Sequence, residues 1–281
     1  MAQQDTDVFV RLERFYDAVP RDAAVAEDIG EFVLFVRQGE GWPYYARPRL
    51  GADTPSAADI TAVRRRQRDG GAPEAFDWVH ENQPDLLAVA RSAGLDVLLA
   101  PLMVLERAAL VPDLPLPGAA IRVLDPSAPG FAADLAASRA VAQLGFGAAT
   151  APITAAPAGP RERDAVPPPG PEDIESQRRR YASGLFRSAV VDSPAEGILA
   201  TGMVQQVGDV AEIAGVATLP SARRRGYASQ LTAILARTAL QNGADMVFLS
   251  AGDDDVARLY SKVGFRRVGT ACIAEPAAAI L

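Results

Sequence analysis

The 281-residue sequence is poor in reactive side chains: it has one cysteine, Cys272, and one histidine, His80. A single thiol excludes a disulfide framework within the chain and fits a reducing compartment. Cys272 falls in a strand-like stretch with no base beside it, so it reads as a core residue. His80 has no metal-ligand pattern around it and reads as a structural polar residue on a sheet edge. Long apolar runs are also missing. The Ala-rich stretches are interrupted by Arg, Asp or Pro before they could span a bilayer. The first residues, MAQQDTDVFVRLERFYDAV, lack a basic region followed by an apolar core, so a cytoplasmic protein without a signal peptide is expected. Excess positive charge is absent as well. The formal net charge is −7. Residues 1–118 carry 12 basic and 19 acidic side chains, whereas residues 119–281 carry 16 of each. This balance argues against a nucleic-acid binder. The acidity of the first half favours solubility or attracts a cation. What is present is a globular composition, 49% apolar and 22% charged.

The Pro-rich connector LVPDLPLPG, residues 110–118, separates two regions that alternate strand-like and helix-like segments. These give expected domains 1–112 and 119–281. In the second, IRVLD reads as a strand and FAADLAASRAVAQL as an amphipathic helix. Residues 149–172, rich in Pro and Ala, read as a long mobile loop. A helix over 172–184 and three strands follow, ending at VATLP. A helix from 223 stops at Asn242-Gly243. MVFLSA then reads as a buried strand, DDDVARLYSKVG as a short helix and FRRVGTACIAE as a closing strand. In the first region, residues 76–97 align without a gap on residues 246–267. Both read strand, polar turn, short helix, Gly and strand, which points to a tandem repeat of one α/β fold.

The most informative stretch is VATLPSARRRGYASQL, residues 216–231. It places small residues and clustered arginines at a strand-to-helix turn, Arg223-x-x-Gly226-x-Ala228. The first N–H groups of a helix lack partners and its dipole favours negative charge, so this turn is suited to an anion such as a pyrophosphate.

Residues 119–281 resemble the GNAT superfamily of N-acetyltransferases. Arg223-Arg224-Arg225-Gly226-Tyr227-Ala228 fits the family's Arg/Gln-x-x-Gly-x-Gly/Ala signature after the strand Val216–Pro220. Ala257-Arg-Leu-Tyr260-Ser-Lys-Val-Gly264-Phe265 fits its second motif. The resemblance implies tandem GNAT-like domains with a mixed, mostly antiparallel sheet, and splayed parallel strands in the second domain. It implies acetyl-coenzyme A as acyl donor, with no metal. The pantetheine would pair with Val216, Ala217 and Thr218. The pyrophosphate would meet the backbone of Arg223, Arg224, Arg225, Gly226, Tyr227 and Ala228, and Ser229 could add a hydroxyl.

An amine must then lose a proton, starting from a pKa of about 10.4. Glu212, four residues before Val216, matches the base position of some members. Tyr260 is the candidate to protonate or hold the departing thiolate. A backbone N–H near Val216 would polarise the carbonyl. Many relatives have Asn where this chain has Asp253, which reads as a helix cap. The first region lacks the Arg-x-x-Gly-x-Ala turn and has Ala90 where Tyr260 would be, so it is expected not to bind the coenzyme productively. The acceptor, an amine that could be cationic, and the oligomeric state are not set by the sequence. A coenzyme-binding module without turnover and a protein or peptide N-acetyltransferase remain the alternatives.

Overall fold

The computed structural model describes residues 2–39, 44–147 and 156–277, with side chains from residue 7 onward. The chain opens with α1 (Ala2–Ala18), β1 (Ala24–Ile29), β2 (Phe32–Arg37), β3 (Arg47–Pro48) and α2 (Ala57–Asp69). It continues through β4 (Phe76–Val79), α3 (Leu86–Ser92), β5 (Leu95–Leu105), β6 (Ala120–Val123), α4 (Phe131–Gly147) and α5 (Pro160–Asp164). Next come α6 (Pro171–Ala182), β7 (Phe186–Ser193), β8 (Gly197–Val207), β9 (Val210–Thr218) and α7 (Tyr227–Gln241). The last elements are β10 (Met246–Ser250), α8 (Asp254–Ser261) and β11 (Phe265–Pro276).

Two compact units result. The first comprises Met1–Met103, Ser250–Ala257 and Arg267–Leu281; the second comprises Val104–Leu249 and Arg258–Arg266. In the first, β1, β2 and β3 form an antiparallel sheet that turns tightly between Ile29 and Phe32. Strand β4 pairs antiparallel with β11, from Ala271↔Val79 to Ala274↔Phe76, and β5 lies on the other side of β11. Phe32, Leu34, Ile60, Val63, Phe76, Trp78, Leu86, Leu95, Cys272 and Ala274 form the core. Helix α2 starts on a capping box, because Ser56 and Asp59 satisfy each other's backbone N–H groups.

In the second unit the sheet order is β10-β9-β8-β7-β6. All neighbours are antiparallel except β10 and β9, which are parallel. The sheet is sandwiched between helices. On one face the Ser138 hydroxyl of α4 bonds Thr201 of β8 at 2.5 Å. On the other, Leu231 and Leu235 of α7 reach Gly202. A sheet covered on both faces explains why β10 is a continuous apolar run.

The repeated unit seen in the sequence is present twice. Strand β4, helix α3 and strand β5 match β10, α8 and β11, and each helix is followed by a left-handed glycine, Gly94 or Gly264. Of the stretch 149–172, residues 149–155 lie outside the described residues. Residues 160–164 form α5, which is pinned by Arg163. Its guanidinium, only 8% exposed, donates to the carbonyls of Glu196 and Ile198 at 2.7 Å.

Candidate active site

Strands β9 and β10 run side by side only from Met246↔Val210 to Phe248↔Glu212. Strand β9 continues to Thr218 beyond the end of that ladder, so the two part at Glu212. On its other edge, β9 pairs with β8 through a bulge. Thr201 opposes Ala217 and Met203 opposes Ala214, which leaves Gly215 and Val216 facing the single residue Gly202. Gly215 takes φ +63°, a conformation that suits a bulge and that a side chain would strain. The bulge re-aims the backbone of residues 215–217 where the parallel ladder has already ended. The sequence-predicted residues Val216, Ala217 and Thr218 thus lie past the end of the parallel ladder to β10, while Ala217 and Thr218 stay paired with β8.

Beyond Thr218, a 3₁₀ turn at Pro220–Ala222 leads to Arg223–Gly226, all exposed. The helix begins at Tyr227, not at 223 as the apolar spacing suggests. Arg224 has φ +64° and Gly226 φ +80°, and two left-handed residues cannot continue a right-handed helix. The arginine run is therefore a turn in front of the helix, and Gly226 is the N-cap residue of α7. A Cβ on Gly226 would meet nothing within 4 Å, so the space above the turn is open. The N–H groups of Tyr227, Ala228 and Ser229 come before the first intrahelical bond at this end of α7, from the Gln230 N–H to the Gly226 carbonyl at 3.2 Å.

The three arginines have different situations. Arg223 donates to the Gly145 carbonyl at the end of α4, at 2.7 Å. Arg225 donates to Glu196 at 3.2 Å and to the Ser221 carbonyl at 3.4 Å. Arg224 has no side-chain partner among the described residues. Two of the arginines brace the turn, and the third is available to an anion.

Glu212 lies at the point where β9 and β10 part. Its Oε2 accepts a hydrogen bond from Nε2 of Gln205, directly opposite on β8, at 2.5 Å. Both side chains are partly buried. Gln205 is a residue that motif reading does not single out; only its pairing with Glu212 reveals it. Tyr260 sits on the buried side of α8 with Ala257, 8% exposed, its ring 6.3 Å from that of Phe265. Burial pushes its phenol up to about 12, so it stays protonated through the neutral range. Asp253 accepts the backbone N–H of Val256 at 2.8 Å and so caps α8.

The remaining sequence candidates carry no chemistry of this kind. Cys272 is fully buried and burial pushes its thiol up to about 12, which keeps it inert. His80 donates its backbone N–H to Thr270 within the first unit. Among the described residues no group of three or more His, Cys, Asp or Glu side chains could hold a metal ion. No described helix is long and apolar enough to cross a membrane.

Comparison with known proteins agrees with this geometry. Residues 184–273, from β7 to most of β11, match the FR47-like protein family model. The structure is similar to a GCN5-related N-acetyltransferase from Kribbella flavida, with 20% identity, a TM-score of 0.69 and 97% of each chain covered. It is also similar to a GCN5-related N-acetyltransferase-like protein from Streptococcus suis, with 14% identity, a TM-score of 0.53 and coverage of 98% and 99%. A tandem GNAT protein from the clavulanic acid biosynthesis pathway matches with 14% identity and a TM-score of 0.52, over 88% of this chain and 79% of that one. No curated protein matches in sequence. Residues 184–273 thus carry the FR47-like, GNAT-type signature, and the chain has the fold of the GCN5-related N-acetyltransferases.

Proposed function

We propose that this chain is an acetyl-coenzyme A-dependent N-acetyltransferase that acts on a primary amine through its second unit. The observation that carries the reading is the parting of β9 and β10 at Glu212, followed by an exposed turn of arginines and open-faced N–H groups at the start of α7. The fit to a nucleotide-bearing thioester rests on residues of this chain. Val216–Thr218 offer backbone to amide groups, and Gly226 leaves the diphosphate room to approach the helix N-terminus. Arg224 supplies a guanidinium not committed elsewhere among the described residues.

The coenzyme supplies an activated acetyl group. Three tasks fall to the protein. Glu212 takes the proton from the acceptor's ammonium, directly or through one water, which frees the nitrogen lone pair for attack. Such a positioned base is worth about 10²–10⁴-fold. A backbone N–H at the bulge donates to the carbonyl oxygen as charge builds there. Tyr260 offers its O–H to the sulfur. As the new C–N bond forms and the C–S bond breaks, the phenol hydrogen-bonds the departing thiolate or protonates it, and the second proton shed by the nitrogen then restores the phenol or passes to solvent. A phenol near 12 is a weaker acid than a free thiol at about 8.5, so Tyr260 acts while charge develops on sulfur and not by prior ionisation.

The test combines binding and turnover. Calorimetry with acetyl-coenzyme A should give about 100-fold weaker affinity for Gly226→Glu, with an unchanged circular dichroism spectrum. That loss corresponds to about 2.7 kcal/mol. Unchanged affinity would remove the turn from the coenzyme site. In a thiol-release assay over a panel of primary amines, Tyr260→Phe should lower kcat more than coenzyme affinity. Equal loss in both would make Tyr260 a packing residue. Stoichiometric coenzyme binding with no release for any amine would favour a sensing module.

A further inference from the structure

The second unit carries a polar pair that packing does not account for. Along one row of the sheet, β7, β8, β9 and β10 contribute Phe186, Gln205, Glu212 and Phe248. Phe186 is 6% exposed and Phe248 fully buried. Next along the same face of β8 are Met203 and then Thr201, which bonds α4. A glutamine and a glutamate between two buried aromatic rings cost desolvation that an apolar pair would not. The neighbouring Gln206 points to the opposite face and has a different role, donating to the carbonyls of Gly208 and Asn242 at 3.1 Å.

We propose that Gln205 is a positioning residue for Glu212, holding one carboxylate oxygen in place so that the group is aimed and ready as the base. This rests on the reading of Glu212 given above. The geometry is specific. Gln205 and Glu212 are direct cross-strand partners, and the amide donates to Oε2 at 2.5 Å. Glu212 is also the last β9 residue in the parallel ladder, so its backbone is fixed on both edges just before the strands part. With both its backbone and one oxygen fixed, little rotamer freedom remains to be lost when the acceptor arrives.

An N–H donor on a carboxylate stabilises its charged form and opposes the effect of burial. A charged side chain beside the row is Arg180 of α6, whose guanidinium lies 4.1 Å from the Phe186 ring centre. Glu212 has further contacts of its own. Removing the Gln205 donor therefore tests one contribution among several.

The experiment is a carboxyl-carbon NMR titration of Glu212 in the wild-type chain, in Gln205→Leu and in the near-isosteric Gln205→Glu. It is run alongside pH–rate profiles for acetyl transfer. Gln205→Leu should raise the Glu212 midpoint by about one unit, and Gln205→Glu should raise it further, because two like charges would share the row. The acid limb of the rate profile should move with the midpoint, and kcat at neutral pH should fall about tenfold while KM for the coenzyme holds. Gln205→Asn, which keeps the amide on a shorter arm, should recover part of the loss. Identical Glu212 midpoints in all variants would overturn the proposal, as would a rise in coenzyme KM with kcat unchanged. The reading of Glu212 as base fails separately. Glu212→Gln transferring acetyl as fast as wild type would sink that reading, while the NMR titration would still decide the part played by Gln205.

Discussion

At Gly264 the backbone takes φ +119°, and a Cβ there would lie 2.6 Å from the Ala109 carbonyl oxygen. The end of β5 and the start of the connector hold this spot through two backbone bonds, Glu106 N–H to the Gly264 carbonyl at 3.0 Å and Val111 N–H to the Val263 carbonyl at 3.1 Å. Gly264→Ala would combine left-handed strain with a clash against main chain that has no flexible end to move aside. It should cost about 2 kcal/mol or more, read as a lower urea midpoint. Tyr260 allows a sharper test. Its folded pKa, about 12, lies above the unfolded value of about 10. An acid whose neutral form is favoured by folding contributes stability that is intact below pH 10 and lost as pH rises toward 12. Wild type should lose up to roughly 2–3 kcal/mol over that window on this account, and Tyr260→Phe should lose less. Cys272, also raised to about 12, keeps part of the alkaline loss in the variant. Parallel alkaline melting curves for the two proteins would contradict this. Glu212, Tyr260 and the arginines could be singled out from the sequence as candidates because each stands in a motif of fixed order. Which arginine braces the turn was not legible, because the partners of Arg223 and Arg225 are a carbonyl 78 residues away and a glutamate 29 residues away.

Helix α8 presents Tyr260, and it is short, so its first turn weighs heavily. The Asp253 carboxylate takes the Val256 N–H there. Asp253→Ala should cost about 1 kcal/mol, and Asp253→Asn only a few tenths, because both Asp and Asn accept the N-cap bond. Denaturation of the two variants would separate capping from charge. If both lost the same amount, the negative charge and not the hydrogen bond would be the stabilising feature. Capping and turn residues made most elements readable, and strands β7 to β10 lie where their alternation and turn signals put them. Element ends were less readable. The apolar spacing of Tyr227, Leu231, Ile234 and Leu235 extends helix character back over the arginines. Only the left-handed angles at 224 and 226 stop it, and no side-chain periodicity encodes those. Helix α5 shows the converse. Five residues inside a Pro-rich stretch form a turn of helix because Glu162 bonds the Gly159 N–H and Arg163 is buried on β8. Low periodicity there reflects a short element, too brief to repeat.

On the scale of the whole molecule, the chain's last strand is shared out in a way that linear order does not reveal. Sequence similarity pairs β11 with β5 as the closing strands of two repeats. In space, residues 267–281 belong to the first compact unit, where Ala271–Ala274 pair with Phe76–Val79 and Cys272 and Ala274 join the core around Trp78. The first unit is therefore completed by a strand that lies far downstream of β4 in the sequence. Pairing over so long a sequence separation carries a large loop-closure cost before any contact repays it. A buried carboxylate at position 272 should consequently damage the first unit, even though its sequence neighbours belong to the second repeat. Unpaired burial of that charge would cost several kcal/mol. Hydrogen exchange of Cys272→Asp in the full chain should show lost protection in β2 and β4, at Phe32–Arg37 and Phe76–Val79, while the amides of α7 stay protected. Protection lost first in α7, with β4 unchanged, would mean that the C-terminal strand answers to the second unit and that the two repeats are closed by their own strands.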